Sequence, residues 1–388
     1  MQKKMLFDLL SAQPSGSTKF HGGGEYIKFV LKKLLEDYSE YIEIQVFYNK
    51  NEFLDEWLEQ LLSSKNVVIH NVASVDDIKE ILLLERFDVF YSGLPYRYDI
   101  KLFPYLIKKV GTFHGLRPIE CPGDSYEFAY IAEADMKHKI KSLLYSCGWS
   151  RPVLKPILKW YYTKQYNAAL DCFDVCIVVS EHTKYAVSNY FPQYKEKLKV
   201  CYSPAKETKD VLVYRQITKR YILIISANRW LKNSYRAVYA LDDMYERNLL
   251  CDVDVIVVGL GENSFMNLLK HKDRFHIKGY VSAEELENLY KNCSVFLYPT
   301  LNEGFGYPPL EAMKYGRTCI VSAVCSLPEI CGDAVYYINP YDLGEIQTRI
   351  LEALENPLSG QVILRQRNKI LKQQNEDLDK LCSIIVYS

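Results

Sequence analysis

Short apolar stretches alternate with amphipathic helical ones along almost the whole chain, and this alternation constrains the fold most strongly. Helical patterns occur at 31–38, at 75–85, from residue 181 onward and at 235–245. Because strands that alternate with helices pair in parallel, we predict an α/β fold with doubly wound sheets. The predicted strands are 41–48, 66–70, 88–92, 110–114, 176–180, 221–226, 254–258, 275–280, 295–298 and 318–322.

A polar stretch around 203–210 interrupts the alternation, and each half is long enough for its own Rossmann-like sheet. At 388 residues the chain exceeds one ordinary hydrophobic core, which favours two domains. We therefore predict an N-terminal domain over 1–205 and a C-terminal domain over 211–360. Ligands of such sheets bind beyond the carboxyl ends of the strands, so we look for site residues there.

The composition excludes several classes of protein. Lys+Arg and Asp+Glu both number 48, so the zero net charge offers no global field that would attract nucleic acid. No apolar run reaches about 18 residues, so we expect no transmembrane helix, and the N-terminal apolar run is too short for a signal peptide. The 11 scattered cysteines include no Cys-x-x-Cys pair, which predicts reduced thiols in the cytoplasm and no zinc site.

The stretch 298–311 reads Tyr-Pro-Thr-Leu-Asn-Glu-Gly-Phe-Gly-Tyr-Pro-Pro-Leu-Glu and joins a predicted buried strand to a helix. Gly304 and Gly306 permit a sharp turn, and the exposed N–H groups and the helix dipole favour a phosphate. Glu311, which we place in the first helical turn, can bind a ribose diol, and Glu303 can bind a sugar. A turn-capping Glu303 and a solvated Glu311 are the plainer alternative. Since both acids share one register with the glycines and prolines, we predict a sugar-nucleotide site.

A second segment, 226–233, follows a predicted strand and precedes a helix. It places Arg229 and Lys232 where they can converge on one anion, such as a diphosphate; a solvated helix start is the alternative. Asp252 and Asp254 imitate a metal-binding Asp-x-Asp motif, but they lie at the beginning of a strand. We therefore predict no metal site.

Two further segments occur in the first half. In 21–26, three consecutive glycines, among them Gly23 and Gly24, allow a phosphate or sugar to approach a helix N-terminus closely. A flexible loop is the alternative. His114 ends a predicted strand, and a lone histidine in that position is more often structural than functional.

The quoted segments closely resemble those of retaining glycosyltransferases of family 4, in which Glu303 and Glu311 would form the Glu-x7-Glu motif. The resemblance implies the GT-B fold, with two Rossmann-like domains facing each other across a cleft. It also implies that a helical segment over 361–388 packs back on the N-terminal domain. The implied enzyme transfers a sugar from a nucleoside diphosphate sugar to a hydroxyl of a glycan or lipid-linked glycan, in surface-polysaccharide or glycoconjugate synthesis. It needs no metal or other cofactor. Because the departing diphosphate takes the acceptor proton on the same face, it also needs no dedicated nucleophile.

Roles follow from the same resemblance. Arg229 and Lys232 would stabilise the diphosphate, Glu303 and His114 would orient the donor sugar, and Glu311 would hold the ribose. The remaining implied contacts with the nucleotide sugar are Gly23, Gly24, Gly259, Tyr280, Val281, Gly304, Phe305, Gly306 and Leu310.

The segment 137–166 carries lysines, one arginine and aromatic residues, and it has no acidic residue. Such a segment favours an anionic bilayer surface, and a solvated helix face is the alternative. We assign Lys155, Lys159 and Trp160 to this membrane or acceptor side, together with Arg117, which could bind an acceptor carboxylate or phosphate. The expected location is the cytoplasm, with contact at the inner face of the membrane.

Two other functions fit the same features. A GT-B epimerase would act on the donor sugar without an acceptor, and an inactive membrane-associated scaffold would only bind nucleotide. Intact Glu303, Glu311, Arg229 and Lys232 argue against the scaffold, because an idle site would tolerate their loss.

Overall fold

The computed structural model describes residues 2–14, 21–130, 151–205, 220–260, 266 and 269–387. The chain forms two compact units. The first comprises Met1–Leu116, Tyr161–Glu207 and Leu371–Ser388, and the second comprises Arg117–Trp160 and Thr208–Ile370. These bounds differ from the predicted ones in placing 117–160 with the second half of the chain. Residues 206–219, which hold most of the predicted linker, lie outside the described residues.

A seven-stranded parallel sheet forms the centre of the first unit. Its strands are β1 (Lys3–Asp8), β2 (Ile42–Tyr48), β3 (Val68–Asn71), β4 (Val89–Ser92), β5 (Lys108–Phe113), β6 (Val175–Val178) and β7 (Leu198–Val200). The spatial order is β3-β2-β1-β4-β5-β6-β7, which contains the Rossmann order 3-2-1-4-5-6.

A six-stranded parallel sheet forms the centre of the second unit. Its strands are β8 (Arg220–Ile224), β9 (Val253–Val258), β10 (Phe275–Lys278), β11 (Val295–Tyr298), β12 (Thr318–Ser322) and β13 (Tyr336–Ile338). The order β10-β9-β8-β11-β12-β13 repeats the Rossmann arrangement. Both sheets confirm the predicted doubly wound α/β class.

The α-helices lie between these strands and at the end of the chain. In chain order they are α1 (Gly22–Asp37), α2 (Glu56–Ser64), α3 (Val75–Leu84), α4 (Arg117–Glu120), α5 (Arg151–Cys172), α6 (Glu181–Tyr190), α7 (Ser234–Glu246), α8 (Ala283–Asn292), α9 (Tyr307–Met313), α10 (Leu327–Cys331), α11 (Leu343–Glu355) and α12 (Gly360–Tyr387). None of the helices in the described part of the chain is long and apolar enough to cross a membrane.

Strand β1 is not among the predicted strands, although it lies in the middle of the first sheet. Only Met5, Leu6 and Phe7 form its apolar run, and all three are fully buried. A strand covered on both faces shows no alternation of polar and apolar residues, so such a short run carries little signal. Only the three-dimensional structure identifies it as a strand, through its parallel pairing with β2 and β4.

Helix α1 begins at Gly22, nine residues before the predicted start. Three glycines weaken the helical signal because glycine has a low helix propensity. The imidazole of His21 caps the helix, since its Nδ1 accepts a hydrogen bond from the amide of Gly24 at 3.0 Å. Burial of Tyr26 and Ile27 in the next turn then fixes the helix against the sheet.

The end of α12 belongs to the first unit. Its Asp377 accepts a hydrogen bond from the amide of Tyr202 at 2.9 Å, and its Asp379 pairs with Lys33 at 2.8 Å. Leu381 and Ile385 on the same stretch are fully buried. These contacts give the first unit a helix that comes from the far end of the sequence.

Candidate functional site

The site of the second unit lies where the strand order of its sheet reverses. Strands β8 and β11 are hydrogen-bonded neighbours, and from them the order runs outward in opposite directions. Lys232 follows β8, and Glu303 follows β11. Both side chains therefore lie beyond the carboxyl ends of strands at a topological switch point, the usual ligand position of such sheets.

Lys232 and Glu303 form a buried ion pair. The Nζ of Lys232 contacts Oε1 of Glu303, and the two side chains are only 9% and 8% exposed. Nζ also donates to the hydroxyl of Tyr298, which in turn donates to Oε1 at 2.7 Å. Thr300 Oγ1 donates to the same oxygen at 3.0 Å. Lys232 and Glu303 are predicted to act separately, Lys232 on the diphosphate and Glu303 on the sugar, whereas in the structure they contact each other directly.

The hydrogen bonds of the Glu303 carboxylate and the Lys232 ammonium to described residues can be counted. Three donors converge on Oε1 of Glu303, while Oε2 accepts no hydrogen bond from any described residue. The Lys232 ammonium has three N–H donors, and two described groups occupy it. One carboxylate oxygen and one ammonium proton thus remain for a ligand.

Electrostatics keep Glu303 ionised despite its burial. Burial alone raises the pKa of a carboxyl group, but the charges of Lys232 and Arg117 outweigh it, so the pKa of Glu303 lies below its usual value. Burial lowers the pKa of Lys232, and Glu303 opposes this while the charges of Arg117 and Arg229 add to it. The site is therefore a cluster of cations around one carboxylate, a field that suits an anionic ligand.

Backbone contacts between the two loops hold the ion pair in place. The amide of Leu301 donates to the carbonyl of Leu231 at 2.7 Å, and Thr300 Oγ1, whose one proton is shared with Glu303, lies 3.1 Å from the same carbonyl. Asn233, which ends the Lys232 turn in the left-handed region with φ of 57°, donates to the carbonyl of Pro299 at 3.0 Å. The segment 226–233 is thus fastened to the segment 299–303 on both sides of Lys232.

The Gly-Phe-Gly turn after Glu303 is held by the loop that follows β12. Ser326 Oγ lies 3.1 Å from the carbonyl of Glu303 and 2.9 Å from that of Phe305, and its one proton is shared between them. Gly306 has φ of +104°, and a Cβ there would lie 2.6 Å from Leu327. Glycine is therefore required at Gly306 by both its backbone conformation and its neighbour.

Glu311 lies on α9, and its position corrects one prediction. The helix begins at Tyr307, so Glu311 is its fifth residue and lies beyond the first turn. Its Oε2 accepts a hydrogen bond at 2.8 Å from the hydroxyl of Tyr290, a buried residue of α8. Leu310, the preceding residue of the same helix, is buried.

Of the other predicted nucleotide contacts, Gly259 lies close to the loop that follows β8, whereas Tyr280 is largely exposed. Gly259, with φ of +84°, ends β9, and a Cβ there would lie 3.3 Å from the backbone of Ser226. The structure thus brings Gly259 to the loop that carries the half-buried Arg229. Tyr280 is 82% exposed, and Val281 beside it is half-buried.

The predicted site residues of the first unit follow two of its strands, the glycines β1 and His114 β5. Gly23 and Gly24 lie in the first turn of α1, so they form a helix N-terminus and not the flexible loop of the alternative. The amide of Gly24 already donates to His21. His114 follows β5, and its Nε2 lies 2.9 Å from the carbonyl of Gly93. Because a carbonyl only accepts, Nε2 carries the proton, and in the neutral ring Nδ1 is an acceptor.

Arg117 and the segment after it belong to the second unit, which the sequence analysis does not foresee. Glu120 on the same helix accepts a hydrogen bond from Asn302 at 3.0 Å. Asp124 forms a buried, two-point ion pair with Arg236 of α7, at 3.0 and 2.9 Å. These contacts anchor the residues that follow Arg117 beside the loop that carries Glu303.

The charged segment 137–166 is described only in part. Residues 137–150 lie outside the described residues, and the side chains of 151–155, including Lys155, are also outside the description. On α5 the side chains of Ile157, Trp160 and Tyr161 are 53%, 65% and 55% exposed. Lys159 is exposed beside them.

Several functional candidates escape the sequence analysis. Tyr298, Thr300, Asn233 and Ser326 hold the central pair or its loops, yet none belongs to a charged motif. The available signal is their position, because each is a polar residue at or just beyond the carboxyl end of a strand or at a turn of that edge.

Comparison with known proteins agrees with this arrangement. Residues 214–375 match the family model described as "Glycosyl transferases group 1". An O-antigen chain mannosyltransferase B of Escherichia coli is 45% identical over 78 residues, 20% of this chain and 20% of the relative. O-antigen chain mannosyltransferase RfbU of Salmonella typhimurium is 27% identical over 188 residues, 47% of this chain and 52% of the relative. The chain thus spans at most about half the length of these two relatives.

Solved structures resemble the chain over nearly its full length. HepE of Anabaena in complex with UDP-glucose has a TM-score of 0.63 and 13% identity, with 98% of this chain and 99% of the other covered. A glycosyltransferase of Rickettsia africae has a TM-score of 0.62 and 14% identity, with 99% of each chain covered. At such identity the likeness shows the fold, and it confirms the predicted GT-B architecture of two Rossmann-like units.

Proposed function

We propose that the chain is a glycosyltransferase that moves a sugar from a nucleoside diphosphate sugar to an acceptor hydroxyl, in the synthesis of a surface polysaccharide. The buried Lys232–Glu303 pair at the switch point carries the proposal. The match to the group 1 glycosyltransferase model over residues 214–375 supports it. Mannose is the first sugar to test, because both curated relatives described above are mannosyltransferases.

The proposed chemistry places negative charge where the cations are. The bond between the anomeric carbon and the diphosphate oxygen breaks, and the acceptor oxygen bonds to the same carbon. With retention, the acceptor attacks the face that the diphosphate leaves, and its proton passes to the departing diphosphate oxygen. Lys232, with its remaining N–H, and Arg229 stabilise the charge that develops there. No metal or other cofactor is included in the proposed reaction.

The glutamates bind the donor in this proposal. Oε2 of Glu303 accepts a hydrogen bond from a sugar hydroxyl, while its Oε1 stays with Lys232, Tyr298 and Thr300. Glu311 accepts from the ribose diol, and His114 orients the donor sugar. The backbone of 304–306, Leu310 and the turns at Gly23, Gly24, Gly259, Tyr280 and Val281 complete the proposed donor contacts.

A panel of nucleotide sugars tests the proposal. Thermal stabilisation is measured with UDP-, GDP-, ADP- and dTDP-sugars, including GDP-mannose and UDP-glucose, on the wild type and on Glu311→Ala. A donor at 100 times its dissociation constant adds about 2.7 kcal/mol to the free energy of unfolding. We expect one donor to stabilise the wild type and to lose most of this effect in Glu311→Ala. No shift with any donor would contradict the proposal and favour an inactive scaffold.

Turnover separates the transferase from an epimerase. Without acceptor, a transferase hydrolyses its donor slowly to the free sugar with unchanged configuration at every ring carbon except the anomeric one, which equilibrates in water, and NMR of the product reads this directly. An inverted ring carbon other than the anomeric one would identify an epimerase. We expect Glu303→Gln to lower the hydrolysis rate by about 10²–10³, the range seen when one charge-stabilising group is removed.

The exposed face of α5 supports a peripheral membrane contact as part of the same proposal. Ile157, Trp160 and Tyr161 are more than half exposed beside Lys159, and this combination favours an anionic interface. We expect co-sedimentation with phosphatidylglycerol vesicles, weaker with phosphatidylcholine alone, and reduced by Trp160→Glu. Equal sedimentation of the wild type and the variant would remove the membrane from the proposal and leave a solvated helix face.

A further inference from the structure

Glu303 and Glu311 each accept a hydrogen bond from a buried tyrosine. Tyr298 donates to Glu303 at 2.7 Å, and Tyr290 donates to Glu311 at 2.8 Å. Phe296 lies between the two tyrosine rings, with centroids 5.3 Å from Tyr290 and 5.7 Å from Tyr298. The two carboxylates are thus held from beneath by one row of three packed aromatic rings.

The hydroxyl of Tyr290 has little freedom to move. Its side chain is 2% exposed, and the edge of its ring packs against Phe296. The helix α8 that carries it is joined to the end of α9 a second time, through Glu287 and Lys314 at 3.6 Å. Burial and the charge of Glu311 both raise the pKa of Tyr290, so the hydroxyl stays protonated and remains a donor.

We propose that Tyr290 is a positioning residue for nucleotide recognition, because its hydroxyl fixes the direction in which Glu311 presents its carboxylate to the ribose diol. The inference rests on the proposed function, since it requires Glu311 to bind a ribose. A carboxylate with one oxygen held in place cannot rotate freely. It therefore loses less conformational entropy when the two ribose hydroxyls bind, which is the general advantage of preorganisation.

The test measures how much more tightly the protein binds a nucleotide with a ribose diol than the same nucleotide without the two hydroxyls. Calorimetry gives the dissociation constants of UDP and GDP and of their 2′,3′-dideoxy counterparts, for the full chain. The variants are Tyr290→Phe, Glu311→Ala and the double variant. Tyr245→Phe is the matched control, because this buried tyrosine of α7 also loses one hydroxyl, which donates to the carbonyl of Val253 at 2.7 Å.

We expect the wild type and Tyr245→Phe to prefer the ribose form by the same factor. Tyr290→Phe should lower that preference about tenfold, the order of one hydrogen bond to a charged group. In the Glu311→Ala background, Tyr290→Phe should change the preference no further. A structural role alone would weaken the ribose and dideoxy forms equally and leave the ratio intact.

The possible results distinguish a failure of the role proposed for Tyr290 from a failure of the proposed glycosyltransferase function. If the wild type binds neither nucleotide and no sugar nucleotide of the thermal panel stabilises it, the proposed function fails. If the wild type shows the preference, Glu311→Ala removes it and Tyr290→Phe keeps it, the function stands and the role of Tyr290 is overturned. The role of Tyr290 is also overturned if Tyr290→Phe lowers the ribose preference as much in the Glu311→Ala background as in the wild type.

Discussion

Lys232 and Glu303 depend on each other because both charges are almost removed from water. Replacing one partner of such a pair leaves the other charge buried and uncompensated, which costs about 3–5 kcal/mol. We expect Lys232→Met to lower the free energy of unfolding by this amount in urea titrations, although Met preserves most of the volume.

The exposed pair Lys270–Glu246 supplies the control for that measurement. Its side chains are 64% and 49% exposed, and its atoms lie 2.7 Å apart. Exposed pairs contribute little because water screens their charges, so Lys270→Met should change stability little. Similar losses in both variants would show that burial does not set the strength of the Lys232–Glu303 pair.

The pKa of Glu303 gives the stability a predictable pH dependence. This pKa is lowered in the folded state from its usual 4.5 by Lys232 and Arg117, against the opposing effect of burial. The ionised form therefore stabilises the fold above about pH 4.5, and this contribution is lost as the pH falls through the lower folded pKa. We expect the unfolding free energy of Glu303→Gln to fall less steeply than that of the wild type between about pH 5 and 3. Equal slopes in urea titrations at each pH would contradict the lowered pKa.

At the scale of elements, the turn between β11 and α9 determines where Glu303 and Glu311 lie. Gly306→Ala places a Cβ 2.6 Å from Leu327 in a backbone conformation with φ of +104°. Strain of this kind costs about 1–3 kcal/mol, and we expect that loss in urea unfolding together with weaker donor binding.

Gly279→Ala is the matched variant for this turn. Gly279 lies in the same unit, and a Cβ there would meet nothing within 4 Å. We expect its unfolding midpoint and donor affinity to stay close to those of the wild type. If both glycine variants behaved alike, the conformation of Gly306 would not be what shapes the site.

At the scale of the whole molecule, the first unit is completed by the end of α12. Leu381 is fully buried there, whereas Leu364 near the start of the same helix is 39% exposed. Truncation of a buried leucine costs about 2–5 kcal/mol, so Leu381→Ala should lower the melting temperature of the first unit in calorimetry. Leu364→Ala should change it little, and equal effects would mean that residues 371–388 contribute no core to that unit.

The sequence predicts the class of fold well because the signal is local. The strands 295–298 and 318–322 are confirmed residue for residue, since each is an apolar run bounded by polar or turn residues. Predicted boundaries are wrong where local propensity and packing disagree. At α1 the glycines have low helix propensity, but capping and burial stabilise the helix. The strand β1 is missed because three apolar residues cannot show that a sheet covers them on both faces.

The sequence by itself determined the alternation of strands and helices, the turn chemistry of the glycines and prolines, and which charged residues follow strands. These properties depend on neighbours in the chain. The tertiary structure alone decided that Lys232 and Glu303 meet, because their strands become neighbours only when the order of the sheet reverses between β8 and β11. It likewise decided that Tyr290, 21 residues from Glu311, lies beneath it. Burial and the partner of each charge are properties of packing, and no spacing along the chain encodes them.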